Sequence, residues 1–351
     1  MKNTYDIHPL KNYRTCSAIM LIGTLALLSV WPFGVQAQEA KQMENFLRPY
    51  LDRDFVPVDG PDTDKEFILK HDTMIREALP EKLKAVGEKK PKILLLTQGT
   101  YGALHVPGAA GMIVMLRASV EKHNAFELTE IYSDSEINAE MLKEYDAVIL
   151  NNVGRTRNPK IFNEILPEYV SNGGGLFANH SCLLLLMSDP RAEFNRMIGG
   201  YVYKAQVHPK MHGKSFSVEL AEPDHPLMAA FHGKSKTMTR THSWLSGDVR
   251  KSYDVAINPP KQLADELYVI LRPEGEESLP RVLLEIAKEG SPQVFPEVAD
   301  DFSRALVWVK TYGKGRIYYT QFGHNTAVYS VPCIARSMLE GVIYVSESKG
   351  E

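Results

Sequence analysis

Cysteine is nearly missing from this chain, with three among 351 residues. Cys16 lies in the first segment, which leaves Cys182 and Cys333 in the body of the protein. Two cysteines make no disulfide framework. Two separate buried thiols are expected, with a Cys182–Cys333 bridge in an oxidising compartment as the alternative. An excess of either charge is missing too: 40 lysines and arginines face 43 aspartates and glutamates. Nothing in that balance suggests a basic surface for nucleic acid. Internal repeats and low-complexity tracts are absent, and 44% apolar with 24% charged residues excludes a disordered chain.

One apolar run stands out at the start. Lys2, Lys11 and Arg14 precede SAIMLIGTLALLSV (17–30), followed by Trp31, Pro32, Gly34 and then Val35-Gln36-Ala37. That order of basic, apolar and small residues is a secretory signal peptide, with cleavage expected after Ala37. The alternative is a retained anchor, but the run falls short of the roughly 20 residues that a bilayer span needs. Removing residues 1–37 takes away Lys2, Lys11, Arg14 and Asp6, a net of +2, so the −3 of the whole chain becomes −5. The expectation is a periplasmic or secreted protein with no stable membrane insertion once the leader is cut.

Residues 38–90 are polar and mixed and read as an N-terminal extension. DFVPVDGPDTD (54–64) has turn chemistry, and FILKHDTMIREALPEKLKAV (67–86) has helical spacing broken at Pro80. From residue 91 the pattern becomes regular. KILLLTQG (92–99), FELTEIYS (126–133), DAVILNNV (146–153) and GGLFANH (174–180) read as strands. MIVMLRASVEKH (112–123), NAEMLKEY (138–145) and PKIFNEILPEYVSNG (159–173) read as the helices between them. Alternating strands and helices imply an α/β fold, a doubly wound and mainly parallel sheet. The second half, to residue 347, is an elaboration of the same domain. SFSVEL, ELYVILRP, RVLLEIA, ALVWVKTYG and GRIYYTQFG are strand-like, the last two forming a hairpin about Gly313-Lys314-Gly315, and VPCIARSMLEGVIYV (331–345) is a closing helix.

In such sheets ligands bind beyond the carboxyl ends of the strands. That rule points to the loops after Thr97 and Asn151 and to His180, where strand gives way to turn and helix. Histidines crowd these places: His105 in the glycine-rich loop GTYGALHVPG, His180 at the corner, His208 and His212 in HPKMH, His242 in THSW and His324 in FGHN. Neutral imidazole ligates zinc, copper, iron and nickel, and it moves protons near neutral pH. Each also has a structural reading, a histidine whose ring is satisfied in the core, and HPL at 225–227 reads as a turn. Asn179 has two readings, a donor to a substrate hydroxyl or a group that satisfies backbone. Asp265-Glu266-Leu267-Tyr268 puts two carboxylates and a phenol at a strand start, and solvation is the simple explanation for them. Gly173-Gly174-Gly175 precedes a strand rather than a helix and is expected to be a turn, not a phosphate cradle.

The order of KILLLTQG, YDAVILNN, YVSNGGGLFANHS, MIGGYVYKAQVHP, DHPL, DELY and WVKTYGKGRIYYTQFGHN resembles the trehalose-utilisation (ThuA-like) family. That family is part of the class I glutamine amidotransferase-like superfamily of flavodoxin-like folds, and the likeness spans residues 90–347. The amidotransferases place a cysteine at the elbow. Here the corner carries His180, and Cys182 falls two residues late, which makes glutaminase or thiol hydrolase chemistry a poor fit. The resemblance implies a role in sugar catabolism with a polar, metal-binding pocket. Carried over residue by residue, it selects His105, His180, His208 and His324 as metal ligands, zinc being the expected divalent ion. It also selects Asp265, Glu266 and Tyr268.

Two functions follow as expectations. In the first, the protein is a metal-dependent enzyme acting on a sugar or sugar derivative by hydrolysis, elimination or isomerisation. His180 and Glu266 are then catalytic, and Asn179, Asp265, Tyr268 and Trp244 contact the substrate. In the second, it binds carbohydrate without catalysis, with Trp244, Tyr268, Tyr101 and Tyr203 stacking on sugar faces. A small-molecule carbohydrate is the expected partner in both, and a homo-oligomer is compatible with either. THSW (241–244) and the extension depart from the family pattern, so the substrate is not transferred from it.

Overall fold

A computed structural model of the chain describes residues 41, 43 and 47, 63–83, 90–98, 106–187, 189, 191–207, 215–232, 237–239, 268–271, 273, 279–286, 301–324 and 326–350. Helix α1 (Thr63–Ala78) lies in the extension and stops just short of Pro80, whose ring cannot continue it. The domain then alternates as expected: β1 (Lys92–Leu96), α2 (Val106–His123), β2 (Glu127–Ile131), α3 (Ala139–Leu142), β3 (Ala147–Leu150), α4 (Leu166–Ser171) and β4 (Gly175–Asn179). A π-helical turn, Ile161–Ile165, leads into α4. The triple glycine is the expected turn, closed by bonds from Gly173 N to Val170 O and from Gly174 N to Tyr169 O. The second half supplies α5 (Glu193–Ile198), β5 (Tyr201–Val207), β6 (Ser215–Leu220), β7 (Thr237–Thr239), β8 (Tyr268–Leu271), β9 (Arg281–Ile286), β10 (Ala305–Tyr312), β11 (Gly315–Thr320) and α6 (Pro332–Ser346).

Nine strands form one sheet in the order β2-β1-β3-β4-β11-β10-β9-β6-β7, and β5 pairs with β8 apart from it. From β2 to β11 every pairing is parallel. From β11 to β7 every pairing is antiparallel. The parallel part has the flavodoxin-like order 2-1-3-4-5, with β11 as its fifth strand and the switch point between β1 and β3. The antiparallel part is the elaborated second half, reached through the β10–β11 hairpin in which Tyr312 opposes Gly315.

The central strands read as continuous apolar runs because both faces are covered. Ile93, Leu95, Ala147, Ile149, Phe177 and Tyr318 join the core under α2 and α6. Leu94, Leu96, Val148, Leu150, Leu176 and Tyr319 join the core under α4 and α5. Each such aliphatic side chain contributes roughly 1.5–3 kcal/mol of burial energy, so the alternation fixes which face every helix covers.

Three elements differ from the sequence reading. Helix α2 begins at Val106 rather than Met112, because Pro107 suits a first turn and Gly108 and Gly111 fit against neighbouring chain. Helix α3 is one turn long, capped by Asn138, whose side chain accepts from Met141 N. The YVYKAQV segment forms a strand, β5, and three-residue β7 carries too little pattern to be seen. Helix α1 packs on α2, on α6 and on the turn Thr326–Ser330, burying Ile75 and Ala78. The extension is thus seated beside the segment that carries His324. Among the described residues, no helix is long and apolar enough to cross a membrane.

Candidate functional site

Strands β3, β4 and β11 lie side by side and end together. Each runs into a residue with left-handed backbone: Asn152 (φ 55°), His180 (φ 46°) and Gly323 (φ 134°). Such backbone is uncommon outside glycine, and three adjacent cases mark a corner whose surroundings hold it in place. The ties are visible. Asn152 N donates to Asn179 Oδ1 at 2.9 Å, and Asn152 Nδ2 donates to Gly323 O at 3.0 Å. Asn179 Nδ2 donates to Tyr329 Oη at 3.1 Å, and Ser181 Oγ donates to Asn152 O at 2.9 Å. All these side chains are buried.

The switch point adjoins this corner. Asn151 Nδ2 donates to Thr97 Oγ1 at 3.0 Å and to Ala109 O at 2.9 Å, joining the ends of β1 and β3 to the first turns of α2. That turn lies hard against the loop after β11: a Cβ on Gly108 would sit 2.0 Å from Gly323 O and 2.6 Å from His324 O. The loops after Thr97 and Asn151 and the His180 corner, which the strand-end rule selected separately, therefore belong to one cluster.

His180 has no solvent exposure and His324 has 2%. His180 Nδ1 lies 3.0 Å from Gln321 O, and its Nε2 lies 3.1 Å from His324 Nδ1. The two rings meet edge to face at 73°. Gln321 is itself fixed, its Nε2 donating to Ala305 O at 2.7 Å, and Tyr319 Oη donates to His180 O at 2.8 Å. Two imidazoles joined through one N–H···N contact can pass a proton or supply nitrogen donors to a cation. A metal-bound imidazole commonly donates its second N–H to a backbone carbonyl, as His180 does to Gln321 O, so the donor set fits a divalent ion. Among the described residues, no group of three His, Cys, Asp or Glu converges on one point.

Cys182 lies beneath the corner with its thiol donating to Leu150 O at 3.1 Å. Burial pushes that thiol up to about 12, well above the range of a nucleophilic thiolate. Both Cys182 and Cys333 are free and buried. Cys182→Ser is therefore expected to leave any activity nearly intact. A loss of about a hundredfold or more in a folded variant, measured by steady-state kinetics, would restore a thiol mechanism.

Of the other residues chosen from sequence, Asn179 uses both ends of its amide on protein groups. Tyr268 opens β8 opposite Val207, and only its backbone is placed. His105, His208, Trp244, Asp265 and Glu266 lie outside the described residues. His225 is the turn residue expected: its Nδ1 accepts from Leu227 N at 3.3 Å and caps the turn Pro226–Phe231. Burial first, then the Arg281 charge, hold its imidazole below the ordinary histidine range, in the neutral form that this cap requires. Asn152, Gln321, Gly323 and Tyr329 were not singled out by sequence. The signals they left are the doubled Asn after β3 and the Gly before His324.

The profile of the ThuA family, described as trehalose utilisation, matches residues 92–345. Among solved structures, a ThuA-like protein from Bacteroides uniformis ATCC 8492 is 18% identical with a TM-score of 0.51, over 74% of this chain and 94% of that one. A ThuA-like protein from Parabacteroides merdae ATCC 43184 is 17% identical with a TM-score of 0.43, over 72% and 90%. A cold-adapted beta-galactosidase from Rahnella sp. R3 is 16% identical with a TM-score of 0.41, over 71% of this chain and 31% of that one. No curated protein matches the chain. At these identities the Bacteroides uniformis likeness speaks for the α/β fold alone.

Proposed function

Because the chain belongs to the ThuA, trehalose-utilisation, family, we propose that it is an exported enzyme of carbohydrate catabolism that acts on a sugar or sugar derivative with a divalent metal, zinc being the first choice. Family membership supports the carbohydrate role. The single observation that supports a reactive centre is the His180–His324 pair, two buried imidazoles 3.1 Å apart at a left-handed corner. The metal's ligands come from His105, His180, His208 and His324, and when bound it supplies polarisation of a carbonyl or hydroxyl oxygen, or an activated water. Around it the chain's own residues have separable tasks. The Asn152–Asn179–Tyr329 network fixes the loop that carries His324. Glu266 moves the proton that hydrolysis, elimination and isomerisation all require. Asp265, Tyr268 and Trp244 hold the sugar.

The test is metal analysis of untagged protein recovered from the periplasm, followed by turnover on glycosides before and after chelation. Close to one zinc per chain and activity lost with the metal are expected. N-terminal sequencing of the same sample should begin at Gln38, and a sequence beginning at Met1 would remove export from the reading. One observation favours a second reading, carbohydrate binding without turnover: Asn179 and both ring nitrogens of His180 are engaged by protein groups. Sugar affinity that survives chelation, with no product formed, would select it.

A further inference from the structure

The two histidines of the pair are not equivalent. Gln321 O is a carbonyl and only accepts, so the 3.0 Å contact requires a proton on His180 Nδ1. A neutral His180 then has its lone pair on Nε2, and the 3.1 Å contact to His324 Nδ1 is made by a proton on His324. That leaves the lone pair of a neutral His324 on its Nε2. One backbone carbonyl thus sets the tautomer of both rings in sequence, and the carbonyl itself is held because Gln321 N donates to Leu306 O at 2.8 Å.

We propose that His324, through Nε2, is the ring that donates to a divalent cation, and that His180 is a positioning residue which fixes the tautomer and plane of His324 from behind. The proposal rests on the metal reading above and divides the labour within the pair. It moves the centre of the site from the corner residue to the residue four positions beyond β11. The arrangement is the one in which a ligating imidazole donates its second N–H to an acceptor that orients it. Here the acceptor is a second imidazole, itself anchored to the main chain. His180 suits that task because it is enclosed and tied at both nitrogens, and its carbonyl is fixed by Tyr319 Oη.

The full chain, untagged and labelled with 15N-histidine, tests this through long-range 15N–1H correlation spectra, with His180→Asn and His324→Asn supplying the assignments. Both rings are expected to carry their proton on Nδ1. Adding zinc should move the Nε2 resonance of His324 and leave Nδ1–H of His180 in place. Asparagine tolerates left-handed backbone, and its Nδ2 can reach where His180 Nδ1 lies, so His180→Asn keeps the bond to Gln321 O and removes the bond to His324. In that variant His324 should sample both tautomers, and zinc affinity should fall about 10–100-fold, the usual loss when an orienting partner of a metal ligand is removed. His180→Gln, whose longer side chain can reach His324 again, should recover part of the loss.

A proton found on His180 Nε2, alone or with one on Nδ1, overturns the proposal, as does zinc that moves the His180 Nε2 resonance instead. In those cases a measured zinc affinity still leaves the metal reading standing. Zinc that moves neither ring while both tautomers are as stated overturns the donor role of His324 together with the metal reading.

Discussion

Gly323→Ala is expected to cost about 3 kcal/mol or more and to abolish ligand binding at the corner. Its φ of 134° lies where side chains rarely go, and the new Cβ would stand 2.4 Å from Asn179 Nδ2 and 2.8 Å from Tyr329 Oη. Neither neighbour can yield cheaply, because those two atoms bond each other at 3.1 Å inside the buried network. Overpacking adds roughly 1–3 kcal/mol to a backbone strain of similar size. The residue precedes His324, so any relief by shifting the loop displaces the imidazole from His180. Denaturant unfolding measures the first effect and zinc or sugar titration of the folded fraction the second. A variant with wild-type stability would mean that this loop does not adopt the conformation described.

The parallel half of the fold was legible in the sequence because burial on both faces writes itself as unbroken apolar runs, KILLL and AVIL among them. The hairpin of β10 and β11 was legible for a different reason: a glycine-bounded turn separates two long apolar segments. The first turns of α2 were not. Gly108 and Gly111 look like loop residues until their neighbours are known, and their value is tertiary, a close approach to Gly323, His324 and Tyr329. The corner itself was legible only in part. The strand-end rule reached Thr97, Asn151 and His180 because it needs the strand order alone. Asn152 and Tyr329 stayed hidden, because a hydrogen bond across more than 150 positions, such as Asn152 to Gly323, leaves no local pattern. The pairing of His180 with His324 was hidden likewise. Each was a candidate on its own residue type, but the division between orienting ring and donor ring exists only once Gln321 O is seen beside one of them.

Asn152→Asp offers the sharpest test of that hidden network, since it changes one donor into an acceptor without changing shape. Backbone at φ 55° is tolerated by aspartate about as well as by asparagine, so the corner itself is not strained by the exchange. At neutral pH a carboxylate oxygen replaces the Nδ2 that donated to Gly323 O at 3.0 Å, and it faces that carbonyl in a site with no solvent exposure. A buried charge without a compensating partner costs about 3–5 kcal/mol. Protonated, the same side chain donates to Gly323 O and restores the bond. The folded pKa of the introduced carboxyl therefore lies above its unfolded value of about 3.9. A group with a raised folded pKa is stabilising below its unfolded pKa and loses that contribution as pH rises through its folded pKa. The variant should thus approach wild-type stability near pH 4 and fall behind it as pH increases, levelling off once the folded carboxyl is ionised. Asn152→Ala provides the control: it leaves Gly323 O without its donor and puts alanine in left-handed backbone, at about 2–4 kcal/mol in all, and none of that varies with pH. Urea unfolding of both variants and the wild type at pH 4 and pH 8 reads the difference directly. A penalty for Asn152→Asp that is the same at both values would show that Nδ2 of Asn152 does not donate to Gly323, and the clamp on the His324 loop would have to be sought elsewhere.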